Sequence, residues 1–136
     1  MSTDNFLIKI FTPNGLLLEK FSSGVTLPSK EGQIGILPQH TRYIGVLGTG
    51  VLEYALHPSN KISGVAVSEG VCAFDDNCLT VVADLADLPD TCDIDFIIEK
   101  KELESIIAKG SFDDSKIFAA KKRLLYVNAL QQITKM

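Results

Sequence analysis

The spacing at which apolar side chains recur changes once along this chain, and that change constrains the fold more than any single motif. Up to about residue 85 the pattern is that of strands. Phe6, Ile8 and Ile10 fall on one face of FLIKIF, VLEYAL and ISGVAV are rich in β-formers, and CLTVVADL follows a turn at Asp75-Asp76-Asn77. Glycine and proline punctuate at roughly ten-residue intervals, as in a sandwich or barrel. Pro13-Asn14-Gly15 is a further turn with a physical cause, because proline presets φ while asparagine and glycine tolerate positive φ. Gly48-Thr49-Gly50 suggests a tight link between strands. It is no dinucleotide fingerprint, since Glu53 replaces the third glycine and no helix follows.

After LADLPD the spacing becomes helical. Asp93 or Thr91 is suited to cap a helix over about 93–109, and Gly110 stands where a helix C-terminus prefers glycine. Ser111 or Asp113 is suited to cap a second helix over about 114–134. Ile117, Ala120, Leu124 and Val127 recur there at helical spacing, with Phe118, Leu125 and Ala129 beside them. A connection of so few residues favours an antiparallel hairpin. Residues 86–110 hold seven acids and three bases, and residues 111–136 two acids and five bases, so the helices complement each other in charge. The expected architecture is an all-β sandwich over residues 1–86 followed by an α-helical hairpin over 87–136.

At 136 residues there is room for one ordinary domain, or a small domain with an appendage. A net charge of −4 argues against nucleic acid as a partner. The longest apolar runs are too short and glycine-broken to insert in a bilayer. No basic segment precedes an apolar core at the N-terminus, so no secretory signal is expected. Three cysteines, sparse and odd in number, fit a reducing compartment.

An enzyme needs a constellation, and only fragments are present. His40 and His57 cannot alone make a three-ligand metal site, and Cys72, Cys78 and Cys92 lack C-x-x-C spacing. A Cys–His pair assembled by folding stays open beside the simpler reading of small buried side chains. Asp84, Asp87, Asp90, Asp93 and Asp95 could bind a cation or serve acid–base chemistry, but they miss the calcium-loop pattern. A solvated linker and helix N-terminal charge account for most of them. None of these fragments reaches a catalytic hypothesis, and no cofactor or metal is expected.

Residues 31–40, EGQIGILPQH, resemble the E-G-x-x-G-I-L-P-x-H motif of the epsilon subunits of F-type ATP synthases, called delta in mitochondria. The rest follows in that family's order. Leu47–Val51 resembles its L-x-x-G-x-(hydrophobic), Val67–Val71 its glycine-containing strand turn, and NCLTVVADLA its N-x-V-T-V-L-A-D-x-A. Asp93-Ile94-Asp95 resembles the opening of its helical hairpin. Two positions depart: Gln33 stands where an acid is frequent, and Glu69 where a second small residue is usual.

The resemblance implies a sandwich of about ten strands and a C-terminal helix–loop–helix. It implies a non-catalytic rotor subunit of the central stalk, coupling gamma to the c-ring and peripheral on the cytoplasmic face of a bacterial membrane. Glu31, Gln33, Ile36, Pro38, His40 and Arg42 would then form a partner interface, with glycines and Pro38 shaping a turn and His40 facing the partner. Lys121, Lys122 and Arg123 would meet alpha and beta subunits and restrain ATP hydrolysis. Ile94 and Asp95 retain the start of an I/L-D-x-x-R-A nucleotide motif, whose arginine and alanine are here Ile98 and Glu99, so ATP binding is not expected. The alternative is a β-sandwich adaptor with a helical hairpin in another complex.

Overall fold

A computed structural model describes residues 4–89, 96–109 and 114–135. The strands are β1 (Phe6–Thr12), β2 (Gly15–Ser29), β3 (Gly32–Ile36), β4 (Tyr43–Leu47), β5 (Gly50–Leu56), β6 (Lys61–Asp75) and β7 (Cys78–Asp87). The helices α1 (Phe96–Lys109) and α2 (Asp114–Thr134) follow. The expected caps Thr91, Asp93, Gly110, Ser111 and Asp113 lie outside the described residues.

Two strands of 15 residues build both layers. The first half of β2 pairs with β1 and its second half with β3 and β5. The first half of β6 pairs with β5, and its second half with β4 and β7. This is why seven strands appear among the described residues where the resemblance implies about ten. The first of these strands, β2, turns its corner at a bulge. In β2 the Ser22 hydroxyl has one proton to share between the carbonyls of Gly24 (2.9 Å) and Ala55 (2.7 Å) and accepts from the Gly24 amide (3.1 Å), bridging the register shift. In β6, Glu69 (φ 49°) drops out of the β7 pairing, and Gly70 (φ 150°) lies so close to β7 that a Cβ there would stand 2.0 Å from the Val82 carbonyl oxygen. Only glycine fits. Val67–Val71 is thus part of one continuous strand with two positive-φ residues, Glu69 and Gly70, where the sequence suggested a turn.

The inward positions of both layers close one core, among them Ile8, Ile10, Leu27, Leu52, Val65 and Val81. Phe6 and Phe74 meet edge to face at 5.4 Å in it. The β6–β7 hairpin turns on Asp76 (φ 50°) and Asn77 (φ 55°), two left-handed residues as a twisted hairpin needs. The C-terminal helix has two apolar faces rather than one. Ala120, Leu124 and Val127 meet Leu103 and Ile107 of α1, while Tyr126, Ala129, Leu130 and Ile133 cover Ala66 and Val51 on the outside of the β5–β6 layer. Phe118 and Leu125 belong to neither face and are exposed.

Candidate interaction surfaces

The structure divides the 31–42 stretch. Glu31 precedes Gly32 (φ 118°) in the β2–β3 turn, and Gln33 is exposed on β3 opposite Pro28. Pro38, His40 and Arg42 lie beyond the other end of β3, roughly 15 Å of strand away. Between them Ile36 is fully buried, so it is a core residue and not part of a surface. Gly35 is mid-strand without positive φ, and a Cβ there would meet nothing within 4 Å, so the turn does not depend on it. The left-handed residue of the β3–β4 connection is Gln39 (φ 64°), whose amide donates to the Asn77 side chain at 2.8 Å.

His40 is half-buried. Its ring stands edge-on to Phe74 (5.8 Å) and Tyr43 (6.3 Å), and Nδ1 donates to the Thr41 carbonyl at 2.7 Å. It closes the rim of the core, a structural task that any role towards a partner must share. Arg42 is exposed and pairs with Asp75 at 3.2 Å, a surface contact worth little. The six residues do not make one patch.

A patch that the motifs did not reveal lies on the other layer. In register, Val46 of β4 stands beside Val71 of β6, Val71 beside Val82 of β7, Val82 beside Phe11 of β1, and Phe11 beside Leu16 of β2. All five are outward, and four of them are about half exposed. Ile44, 76% exposed, extends the patch along β4. The signal was present in the sequence, since outward positions of these strands carry Val, Ile and Phe where a wetted face would alternate to polar residues.

The basic run of α2 is mostly engaged within the molecule. Lys122 Nζ lies 2.7 Å from Glu69 Oε2 on β6. Arg123 reaches both carboxylate oxygens of Glu99 on α1 (2.6 and 3.5 Å), with its guanidinium 5.5 Å from the Tyr126 ring. The Tyr126 hydroxyl donates to Asp87 at 2.5 Å, tying α2 to the end of β7. Lys121 makes no ion pair among the described residues. Ile94 and Asp95 fall outside the described residues.

The Lys122 hydrogen bond, ahead of the field of Lys122 and Lys30, holds the Glu69 carboxyl below its usual range. A depressed carboxylate pKa stabilises the docked helix above the ordinary carboxylate value, and that contribution is lost as pH falls through the lowered one. Contact shifts at the Tyr126 ring should therefore weaken on acidification from about pH 7 to about pH 3. Glu69→Gln should show weaker docking at neutral pH and a smaller response to acid. An identical acid response in the variant would remove Glu69 as the cause.

Among the described residues no cluster could hold a metal ion, and no helix is long and apolar enough to cross a membrane. Cys72 is buried with its thiol pKa pushed up by burial, Cys78 is half-buried, and Cys92 lies outside the described residues. The model of the ATP synthase delta/epsilon chain β-sandwich domain matches residues 5–89. The ATP synthase epsilon chain of Desulfitobacterium hafniense is 33% identical over 97 residues, 71% of this chain and 72% of that one. That of a Sulfurovum species is 29% identical over 128 residues, 94% of each chain. Among solved structures, a chain of the Euglena gracilis mitochondrial ATP synthase matches with a TM-score of 0.79 at 20% identity, covering 95% of this chain and 81% of that one. A chain of the Tetrahymena thermophila mitochondrial ATP synthase central stalk and c-ring matches with a TM-score of 0.59 at 17% identity, covering 98% and 99%. These two likenesses establish the fold, a sandwich with two C-terminal helices. With a family model matching well over half its length and bacterial relatives aligned along nearly all of it, the chain belongs to the ATP synthase delta/epsilon chain family, regulatory and structural subunits of that complex and not its catalysts.

Proposed function

We propose that the chain is a central-stalk rotor subunit of an F-type ATP synthase, holding gamma through the sandwich and linking it to the c-ring. The observation that carries the reading is the in-register apolar row Val46–Val71–Val82–Phe11–Leu16 with Ile44 beside it. A contiguous exposed apolar face on a small chain marks a protein partner. We assign it to gamma, and the polar β2–β3 turn with Glu31 and Gln33 to the c-ring. The chain then sits peripherally on the cytoplasmic face of a bacterial membrane. Its hairpin restrains ATP hydrolysis when α2 leaves the sandwich and meets alpha and beta subunits. Co-expression with gamma, alpha and beta, followed by purification through a tag on this chain, tests the reading. Gamma, alpha and beta should be recovered together; recovery of this chain alone would reject it.

The hairpin does not bind ATP in this reading. Ile98 and Glu99 stand where the nucleotide motif needs arginine and alanine, and Arg123, the arginine of α2, is held by Glu99. A forked guanidinium already bidentate to a carboxylate is a poor phosphate donor. Titrating ATP into the full chain should give no saturable amide shifts below about 1 mM, a level set by an interaction weaker than about 4 kcal/mol. Saturable shifts at Arg123 and Glu99 would show that the pair opens for nucleotide.

A further inference from the structure

Where α2 passes Glu69 of β6, a cleft of about 290 Å3 opens between helix and sandwich. Its floor is the turn joining β4 and β5, and its helix wall is Phe118, Lys121, Lys122 and Leu125, spaced one face apart along α2. Lys30 approaches from the β2–β3 turn, near enough to act on the Glu69 carboxylate. Glu69 is the acid in the cleft, and Lys122 neutralises it at 2.7 Å. Lys30 and Lys121 make no ion pair among the described residues, so the cleft carries a surplus of about two positive charges at neutral pH. Phe118 and Leu125 are 70% and 58% exposed at the same place. Two apolar anchors between two uncompensated ammonium groups define the complement: apolar side chains flanked by carboxylates.

We infer that this cleft receives an acidic segment of another chain of the complex, seated on Phe118 and Leu125 and paired with Lys30 and Lys121. The inference rests on the reading of the chain as a subunit of that complex. Because half the cleft is α2 and half is sandwich, its occupant binds only the docked hairpin and thereby holds it docked.

Zero-length carbodiimide coupling on the purified complex tests this, because it joins lysine amines to carboxylates already in contact. Internal Lys122–Glu69 coupling reports that the helix is docked. Lys121 and Lys30 should couple to Asp or Glu of one segment of a neighbouring chain. Lys121→Gln should cut that product at least 10-fold while leaving the internal one intact, and Phe118→Ser should reduce it without removing a lysine. Internal coupling with no adduct at Lys30 or Lys121 would overturn the inference, as would loss of the internal coupling in the complex. Coupling to phosphatidylserine instead of protein would assign the cleft to the membrane surface and overturn it equally. Absence of the chain from the complex would be seen before the reagent is added, and would reject the rotor reading itself.

Discussion

Val71→Asp should lower affinity for gamma by about 100-fold or more while leaving the isolated chain as stable as its parent. Val71 points outward at the centre of the apolar row, with Val46 on one side and Val82 on the other, and is about half exposed. In the free chain the new carboxylate is solvated, and a surface change of this kind shifts stability by no more than about 0.5 kcal/mol. In the complex the same carboxylate is desolvated among valines with no cation beside it, which costs several kcal/mol. Calorimetric titration with gamma and a thermal melt of the free chain separate the two effects, and Val71→Thr should sit between parent and Asp variant. Unchanged affinity would move the gamma contact off this layer. His40→Asp is the less informative test. The ring it removes packs on Phe74 and Tyr43, so lost affinity could follow from a disturbed core rim as well as from an interface.

The division into strands and helices was legible because the two periods are physically distinct and the chain switches between them once. Asp76-Asn77 and Gly15 announced their turns through the positive φ that those residues tolerate. The corners of β2 and β6 were not legible, since each strand changes partners part-way along without a break in its run of β-formers, and only Gly24 in β2 and Gly70 in β6 mark the places. The 31–42 stretch misled in part because a motif string hides which way each strand residue faces. Ile36 points into the core and Gly35 out, and only the pairing with Thr26 and Val25 fixes that. The apolar row could not be seen as a surface from one strand at a time. Its members come from five strands, and register alone brings them together. The basic run was legible as charge but not as contact. The left-handed backbone at Glu69 and its pairing with Lys122 of α2 are properties of the fold.

Leu130→Ala should release the hairpin from the sandwich without unfolding the sandwich. Leu130 is fully buried and sits with Tyr126, Ala129 and Ile133 over Ala66 and Val51. Truncating a buried leucine costs about 2–5 kcal/mol. The polar ties that remain include Lys122–Glu69 and Tyr126–Asp87. Partly exposed polar contacts are screened by solvent and contribute too little to offset the loss. The sandwich core around Phe6, Ile8 and Val81 does not include Leu130, so its own melting should stay near the parent value. Hydrogen exchange then reads the two units separately. Amides of α2 should exchange about 30-fold faster or more, following a docking free energy reduced by at least about 2 kcal/mol, while β1 and β7 keep their protection. If β1 and β7 lose protection in step with α2, sandwich and hairpin unfold as one cooperative unit. A hairpin that cannot leave without unfolding the sandwich cannot act as a separately moving brake on ATP hydrolysis.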